Sequence, residues 1–295
     1  MSTRAEPISA DVLRTWPLPE PGSSKHSRGH VLVVGGARST PGAVLLAGLA
    51  ALRVGAGVLG LAADAGVAPA LAVAVPEASV LGISAADGAD GMGDLAARLA
   101  DADAVLVGPG LDEPQRTRQL LNLVAEHTPP DSPVVLDAFA LGVLADPEHR
   151  IDRATLPTDL ILTPNREEAR RLLTDADQGR HGVDLDDGAT VAAVLAQRYS
   201  AVVAYQRQVA DPGGGHWFIP AGNAGLGTSG SGDVLAGAIT GLLARGATTA
   251  QAACWATYLH AVAGDRLASR VGRLGYLARE LLPELPTILT ELEVA

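Results

Sequence analysis

Five short apolar runs, each separated from the next by a helix-forming segment, constrain the fold of this chain most strongly. Val, Leu and Ile dominate each run without regular alternation of polar residues, which is typical of strands buried on both faces of a sheet. The runs lie at 30–36, 104–110, 133–139, 159–165 and 201–206. The helical patterns lie at 42–54, 92–100, 114–125, 165–173 and 189–199. This alternation predicts a three-layer α/β fold, in which a mostly parallel central sheet carries helices on both faces.

Consecutive helices replace this alternation near the C-terminal end. The segments SGDVLAGAITGLLARG and TTAQAACWATYLHAVAGDRLA are predicted to form two helices, with Gly246 ending the first. The last helical segment, LARELLPELPTILTELE, is expected to break near Pro283 or Pro286.

The chain shows no repeat and no linker. The polar segment 174–188 is predicted to be an exposed loop. We therefore expect one domain over residues 1–295, with an N-terminal extension at 1–27.

Charge and hydropathy argue against several classes of partner. A formal net charge of -11 and a pI near 5.0 would repel the phosphates of nucleic acids and anionic lipids. The N-terminus has no apolar segment of the kind found in signal peptides. The longest apolar stretch, PGAVLLAGLAALRVGAGVLGLAA, is interrupted by Arg53 and glycines, so it is predicted to be a helix, a turn and a strand. We expect a cytoplasmic protein that binds neither nucleic acid nor membrane.

Unusual residues follow four predicted strands, at the edge of the sheet where open α/β proteins bind ligands. Gly35 and Gly36 follow the first strand, and GPGLD follows the second. Asp137 ends a third strand, and Asn165 and Glu168 follow a fourth. Neither the GxGxxG pattern nor a Walker-type loop follows the first strand. The glycine clusters are therefore interpreted either as phosphate-binding turns or as tight strand-to-helix turns.

The sequence TPNREE places Asn165 and Glu168 three residues apart at a predicted helix start. At this spacing both side chains can face one pocket. An amide oxygen and a carboxylate suit a hydrated magnesium ion, bound directly or through water. The same residues also fit a capping box, in which Asn165 caps the helix and Glu168 bonds back to it. The sequence leaves both interpretations open.

The segment GTSGSGD combines closely spaced glycines with one carboxylate just before a helix. Gly230, Ser231 and Gly232 would present backbone N–H groups at the helix N-terminus, where an anion is favoured. Asp233 would accept a proton from an attacking hydroxyl while these amides stabilise a transferring phosphoryl group. An acid is favoured at a helix start for structural reasons too, but those reasons do not explain the glycines. His260, in the next helix, is instead interpreted as a core or interface residue.

Six segments occur in the order seen in one enzyme family. They are RGHVLVVGGARSTPGAVLLAGLAALRVGAGVLGLA, ADAVLVGPGL, PVVLDAFAL, LILTPNREEARRLL, NAGLGTSGSGDVLAGAITGLLARG and ATYLHAVAGD. The GxGD pattern before a helix, with NxxE at an earlier strand end, is similar to that of ribokinase-like kinases. The full set resembles the ADP/ATP-dependent NAD(P)H-hydrate dehydratases over roughly residues 28 to 285.

This resemblance implies a ribokinase-like fold and a metabolite-repair reaction. With ADP or ATP as co-substrate, the family phosphorylates the ring hydroxyl of hydrated NADH or NADPH, and loss of phosphate regenerates the dinucleotide. Asp233 is implied to be the general base, and Glu168 with Asn165 to organise Mg²⁺. The residues implied to form the anion hole and nucleotide site are Gly230, Ser231, Gly232 and Asn223. Those implied to contact the hydrate are Ala43, Gly110, Asn165 and Asp233. A homo-oligomer, for example a tetramer, is also implied.

The chain departs from the family pattern in three places. TPNREE stands where the family usually has TPHPGE, so Asn165 replaces a histidine. VVAYQRQVADPGG stands where the family usually has an LKG sequence and a short loop that grips the adenine nucleotide. GSGD replaces the commoner GTGD. Two alternatives therefore stay open, namely a kinase acting on a sugar or vitamin alcohol and a non-catalytic nucleotide-binding homologue.

Overall fold

The computed structural model describes residues 5–84, 89–146, 148, 151–173 and 182–293. Ten strands lie within these ranges: β1 (Glu6–Pro7), β2 (His30–Val34), β3 (Val58–Asp64), β4 (Ala78–Ile83), β5 (Ala104–Val107), β6 (Val134–Leu136), β7 (Leu160–Leu162), β8 (Val202–Tyr205), β9 (Gln208–Ala210) and β10 (His216–Phe218). They form one sheet in the order β1-β10-β9-β8-β7-β6-β5-β2-β3-β4. β9 runs antiparallel to both of its neighbours, and the other neighbouring strands pair in parallel.

The strand order reverses between β2 and β5. From β2 the chain builds outward through β3 and β4, and from β5 it builds the other way through β6, β7 and β8. A reversal of this kind opens a crevice beyond the carboxyl ends of the two strands. The loops that follow β2 and β5 therefore meet at the position where an open α/β sheet binds its ligand.

Helices cover both faces of the sheet. In the described residues they are α1 (Ala10–Thr15), α2 (Gly42–Arg53), α3 (Ala68–Ala74), α4 (Ala89–Ala100), α5 (Pro114–His127), α6 (Phe139–Ala145), α7 (Arg166–Leu172), α8 (Gly188–Tyr199), α9 (Ser231–Ala244), α10 (Thr249–Arg270), α11 (Ala278–Leu281) and α12 (Glu284–Glu293). Val31 and Val33 of β2 pack into the core beneath α2, α9 and α10. Leu32 and Val34 point the other way, into the core beneath α4 to α8. The predicted three-layer α/β fold is confirmed.

Helices α2 and α9 approach each other closely enough to require glycine. A Cβ atom on Gly237 would lie 2.0 Å from the carbonyl oxygen of Ala47. A Cβ atom on Gly241 would lie 2.6 Å from the carbonyl oxygen of Ala51. The GAITG sequence of α9 thus lets two helix backbones touch, and this contact fixes the position of α9 against α2.

The five predicted strands are present, each one to three residues shorter than its apolar run at one or both ends. The glycines that follow β2 and β5 end those strands instead of extending them. The predicted helices are present, and the final one breaks before α12, with Pro283 between α11 and α12 and Pro286 inside the latter. Residues 182–187 are irregular and largely exposed, whereas 174–181 lie outside the described ranges.

The predicted N-terminal extension contributes to the sheet. β1 pairs in parallel with β10, and Ile8 and Leu13 are fully buried. The indole N–H of Trp255 donates to the carbonyl of Trp16 at 3.0 Å, which ties this segment to α10. No helix among the described residues has the length and apolar character that crossing a membrane requires.

Candidate active site

The loops after β2 and β5 are joined by backbone hydrogen bonds. The N–H of Gly36 donates to Pro109 O at 2.8 Å, and the N–H of Ala37 donates to Gly110 O at 2.7 Å. Gly110 has a φ of +68°, and a Cβ atom there would lie 2.4 Å from the carbonyl oxygen of Thr40 and 3.1 Å from Cβ of Ala43. The structure therefore places Ala43 and Gly110 side by side at the switch point of the sheet.

The start of α9 has unsatisfied amides. Gly230 precedes the helix with a φ of +86°. A Cβ atom on Gly230 would lie 2.6 Å from Cδ1 of Leu46, which is one helical turn from Ala43. The N–H of Ser231 donates to Thr228 O at 3.2 Å, and the N–H of Val234 donates to Gly230 O at 3.2 Å. Between them, the N–H groups of Gly232 and Asp233 have no acceptor among the described residues. Two free amides at a helix N-terminus are suited to bind an anion, and they are called the anion-binding position below.

Gly232 leaves this position open from the side. A Cβ atom built on Gly232 would meet nothing within 4 Å, so the space around that Cβ position, beside the free amides, is open. The backbone of Ser231 is already bonded, so its amide does not share in the anion-binding position predicted for Gly230, Ser231 and Gly232. Within α9 the amides of Gly232 and Asp233 are therefore available, and the N–H of Gly230, just before the helix, also has no acceptor in the described part of the structure.

The start of α7 is closed by its own side chains. Oδ1 of Asn165 accepts from the N–H groups of Glu167 at 2.8 Å and Glu168 at 3.0 Å. Oε2 of Glu168 accepts from the N–H of Asn165 at 2.8 Å. The capping-box interpretation of TPNREE is thus what the structure contains, and a role of Asn165 and Glu168 in binding magnesium or the hydrate stays a prediction.

Asp137, which the sequence places at the ligand-binding edge of the sheet without assigning it a role, is a buried acid. It ends β6 with 5% of its surface exposed, and Oδ1 accepts a 2.7 Å hydrogen bond from the hydroxyl of Thr163. The following residue, Ala138, has a φ of +49°, an uncommon conformation for a residue with a side chain. A single acid directly after a buried strand was the available signal for this position.

Three carboxylates interact electrostatically beneath the two helix starts. Burial, together with the charges of Glu168 and Asp233, raises the pKa of Asp137 to about 7, although the hydrogen bond from Thr163 opposes this. Burial, together with the charge of Glu168, raises the pKa of Asp233 to about 6. Burial also raises the pKa of Glu168. Each carboxylate therefore favours a proton or a nearby cation.

These acids fit a hydrated magnesium ion better than a directly chelated one. Oxygen donors are the ligands that Mg²⁺ prefers, and it commonly keeps several waters beside substrate phosphates. However, no group of three acidic, histidine or cysteine side chains in the described part of the chain is arranged to hold an ion. Phosphate oxygens and water would have to complete the coordination.

A cleft of about 740 Å³ extends from the start of α9, and is called the large cleft below. Its volume is within the range of small-molecule sites. It is lined by Thr163, Pro164, Asn165, Arg166, Ala204, Gln206, Arg207, Gly222, Asn223, Ala224, Leu226, Gly227, Ser231, Gly232, Leu235, Thr257, His260 and Ala261. The predicted residues Asn165, Asn223, Ser231 and Gly232 thus share one cavity. Ala43 and Gly110 do not line the large cleft and lie elsewhere on the ligand-binding edge of the sheet.

Asn223 holds one wall of the large cleft in shape. Its Oδ1 accepts from the N–H of Gly225 at 2.8 Å, and its Nδ2 donates to Asp265 at 2.9 Å. Asp265 also accepts from the N–H of Gly222 at 2.8 Å. Because these bonds occupy its side chain, Asn223 orders the loop at 222–227.

The segment that replaces the Lys-Gly sequence folds as a tight hairpin. Two residues, Gln206 and Arg207, connect β8 to β9, and Gln206 has a φ of +55°. The guanidinium of Arg207 lies 5.1 Å above the ring centre of Phe218. Both turn residues line the large cleft, so this wall has a glutamine and an arginine where the resemblance implied a lysine.

His260 is buried, as expected of a core histidine, but it also lines the large cleft. Its Nε2 lies 2.8 Å from Oγ of Ser231 at the start of α9. Burial lowers the pKa of His260 to about 4, although a hydrogen bond with Ser231 opposes this. The imidazole is therefore neutral near pH 7.

Comparison with known proteins identifies the family of this chain. The family model described as Carb_kinase: NAD(P)H-hydrate dehydratase matches residues 31–287. The ADP-dependent (S)-NAD(P)H-hydrate dehydratase of Xanthomonas campestris is 41% identical, with 98% of each chain covered. The chain spans about half the length of the bifunctional NAD(P)H-hydrate repair enzymes that it also matches.

Solved structures give the same result. A ribokinase-like superfamily protein from Enterococcus faecalis has a TM-score of 0.82 at 24% identity, covering 98% of this chain and 96% of its own. The ADP/ATP-dependent NAD(P)H-hydrate dehydratase of Bacillus subtilis, co-crystallised with ATP/Mg²⁺ and soaked with CoA, has a TM-score of 0.76 at 28% identity. That comparison covers 99% of this chain and 100% of the other. With its sheet order, helix layers and family match in agreement, this chain has a ribokinase-like fold and belongs to the NAD(P)H-hydrate dehydratase family.

Proposed function

We propose that this protein catalyses the ADP- or ATP-dependent dehydration of hydrated NADH or NADPH. The observation that carries the proposal is the start of α9, where Asp233 adjoins two free amides beside the large cleft. An anion position next to a carboxylate is what transfer of a phosphoryl group to a hydroxyl requires. The family relationship supplies the nature of that hydroxyl.

Asp233 acts as the general base in the first step. With a pKa of about 6, its carboxylate is ionised near pH 7 yet basic enough to take the proton of the ring hydroxyl. The hydroxyl oxygen then forms a bond to the terminal phosphorus of the nucleotide, and the bond between that phosphorus and its bridging oxygen breaks. The amides of Gly232 and Asp233 stabilise the charge on the oxygens of the transferring group.

The second step converts the phosphorylated ring to the dihydronicotinamide. The ring C–O bond breaks, and phosphate leaves with the bonding electrons. Loss of a proton from the neighbouring ring carbon restores the double bond, so the net change is removal of water at the expense of one nucleotide phosphoanhydride bond. Phosphorylation is needed because phosphate is a far better leaving group than hydroxide.

Glu168 and Asn165 would hold the water shell of a magnesium ion that enters with the nucleotide and neutralises part of its phosphate charge. Glu168 has a raised pKa and lies near enough to Asp233 to influence it. Because the capping box fixes both side chains, this arrangement would exist before the ligand arrives.

The relationship also supports a homo-oligomer, for example a tetramer, that acts in the cytoplasm. The large side chains of Val271, Leu274 and Leu277 are exposed on one loop, which is a surface that a neighbouring subunit would cover. Light scattering coupled to size-exclusion chromatography measures the assembly directly.

A direct assay tests the proposed reaction. Purified protein is incubated with NADH hydrate or NADPH hydrate, Mg²⁺ and either ADP or ATP, while absorbance of the restored dihydronicotinamide is followed. Recovery that needs both nucleotide and Asp233 supports the proposal. No recovery with either nucleotide would contradict it, and a stable phosphorylated sugar or vitamin alcohol would favour the kinase alternative.

A further inference from the structure

Ser231 and His260 form a buried polar pair between two helices. Ser231 is the first residue of α9, and His260 lies on α10, which packs against α9. Their side chains lie 2.8 Å apart, between Oγ and Nε2, and the residues are 3% and 8% exposed. Both line the large cleft beside the free amide of Gly232. The pair is therefore part of the wall nearest the anion-binding position.

The hydroxyl is the group through which Ser231 can act on a ligand. Its amide N–H already donates to Thr228 O at 3.2 Å, unlike the amides of Gly232 and Asp233. A hydroxyl has one hydrogen to donate and can accept two hydrogen bonds. What His260 does to this hydroxyl therefore decides whether the anion-binding position has a third donor.

The neutral imidazole can serve in either of two tautomers. If the ring hydrogen is on Nδ1, the hydroxyl of Ser231 must donate to Nε2 and has no hydrogen left for a ligand. If it is on Nε2, the imidazole donates to Oγ, and the hydroxyl hydrogen is free to point at an anion. A phosphate group beside Ser231 favours the second arrangement, because the hydroxyl then gains a hydrogen bond to a charged acceptor.

A second unmet donor lies on the same wall. Thr257 is one helical turn before His260 on α10, lines the large cleft and is 3% exposed. Its hydroxyl has no hydrogen-bond partner in the described part of the structure. Leaving a buried hydroxyl without a hydrogen bond is energetically unfavourable. This wall thus has hydrogen-bonding capacity that a polar occupant of the cleft, or water bound with it, would satisfy.

We propose that His260 is a positioning residue for the nucleotide: by donating from Nε2 to Ser231, it directs the Ser231 hydroxyl toward the terminal phosphoryl oxygens of ADP or ATP. The Ser231 hydroxyl then completes a group of three donors with the amides of Gly232 and Asp233. The inference rests on the proposed function, because it requires the terminal phosphoryl group of an adenine nucleotide at the start of α9.

Calorimetric titration of the full-length protein with ADP, ATP and AMP tests the inference. Ser231→Ala and His260→Ala should each weaken ADP and ATP binding roughly tenfold or more, since a hydrogen bond to a charged group is lost. AMP, which has no phosphoryl group at that position, should bind each variant as it binds the wild type. The double variant should be no weaker than the single ones, because both changes remove the same interaction.

Two further variants separate positioning from simple structural support. His260→Gln retains a side-chain N–H and should recover part of the affinity lost in His260→Ala. Thr240→Val is the matched control, because it removes a buried hydroxyl of α9 that bonds Ala236 O at 2.8 Å, away from the cleft. It should leave the ratio of ADP to AMP affinity unchanged.

The possible failures are distinguishable. If wild-type protein binds ADP and ATP but Ser231→Ala binds them equally well, the inference is wrong and the proposed function stands. Equal loss of AMP and ADP affinity in His260→Ala, together with a lowered melting temperature, would also overturn it. If wild-type protein binds neither ADP nor ATP and restores no dihydronicotinamide, both proposals fail. Should His260→Ala not fold, Ser231→Ala alone still decides the question.

Discussion

Helices α7 and α9 both begin at the ligand-binding edge of the sheet, but the first backbone amides are capped in α7 and uncapped in α9. At α7, Asn165 and Glu168 satisfy three backbone N–H groups through the capping box. At α9, Gly230 has no side chain to serve as a cap, and the amides of Gly232 and Asp233 stay free. A helix N-terminus is therefore available to an anion only when its own sequence leaves it uncapped.

The largest expected effect comes from Asp233→Asn, which keeps the shape of the α9 start and removes its base. Turnover should fall by about 10²–10⁴-fold, the usual contribution of general base catalysis. Wild-type activity should also fall as pH drops below about 6, because the protonated Asp233 cannot accept a proton. Initial rates from pH 5 to 8 measure both effects. Retained activity in the variant would show that α9 supplies no base.

Asp137→Asn tests whether the buried carboxyl of Asp137, which interacts with the charges of Glu168 and Asp233, titrates as its raised pKa implies. The pKa of Asp137 is raised to about 7 in the folded protein, so the folded state holds a proton that the unfolded chain releases at lower pH. This carboxyl therefore lowers the free energy of unfolding as pH rises from about 4 to 7. Asparagine is neutral and still accepts from Thr163, so the variant should be more stable at pH 8, by up to a few kcal/mol.

Thermal denaturation at pH 5 and pH 8 provides the measurement for Asp137→Asn. The gain in melting temperature should be larger at pH 8 than at pH 5. Equal gains at both values would mean that the buried carboxyl does not titrate in this range.

Gly232→Ala places a methyl group in the space beside the free amides. Because no atom lies within 4 Å of that position, the folded protein tolerates the change, and removing a helical glycine should add about 0.4–1 kcal/mol of stability. Nucleotide affinity should nevertheless fall, by roughly tenfold, since the methyl group excludes the anion from its strongest donors. Gly93→Ala in α4, also with no atom within 4 Å, should gain stability without losing affinity.

Asn165→Ala opens the α7 start and has the smallest expected effect. Loss of a helix cap should cost about 1 kcal/mol, measured as a lower melting temperature. Asn165→Ser restores an acceptor at the cap and should recover most of this loss. If serine restores stability but not activity, Asn165 also contacts a ligand. The family resemblance implies this, because Asn165 stands at a position that contacts the hydrate in the family. If alanine costs no stability, the capping box contributes nothing to the fold.

The parts of the fold that follow from local pattern were predictable. β2, β5, β6, β7 and β8 are continuous apolar runs because they are buried on both faces, and the sequence shows this directly. β1, β9 and β10 are strands of two or three residues near one edge of the sheet, too short to give a clear apolar pattern, although β9 pairs with its chain neighbours β8 and β10. β1 pairs with β10 across some two hundred residues, a relation that no local pattern contains.

The candidate site divides in a similar way. The role proposed for Asp233 follows from the glycines that precede it in the chain, so the sequence alone suggests it. Whether Asn165 forms a capping box or faces an open site depends on how its side chain is oriented. The three-residue spacing to Glu168 is compatible with both, so the sequence does not distinguish them. The contact of His260 with Ser231 joins residues of different helices, and only the packing of α10 on α9 brings them together.

The close contact of α9 with α2 gives residues remote from the chemistry control over it. A helix rises 1.5 Å per residue, so Gly237 and Gly241 hold α9 against α2 at about 9 and 15 Å from its first residue. These two contacts fix α9 against α2, whereas the first turn of α9, which contains the free amides of Gly232 and Asp233, lies beyond them. A side chain added at either glycine would change the angle between α9 and α2 and would displace the first turn of α9. Substitutions at these two positions would therefore disturb the proposed site even where the fold survives.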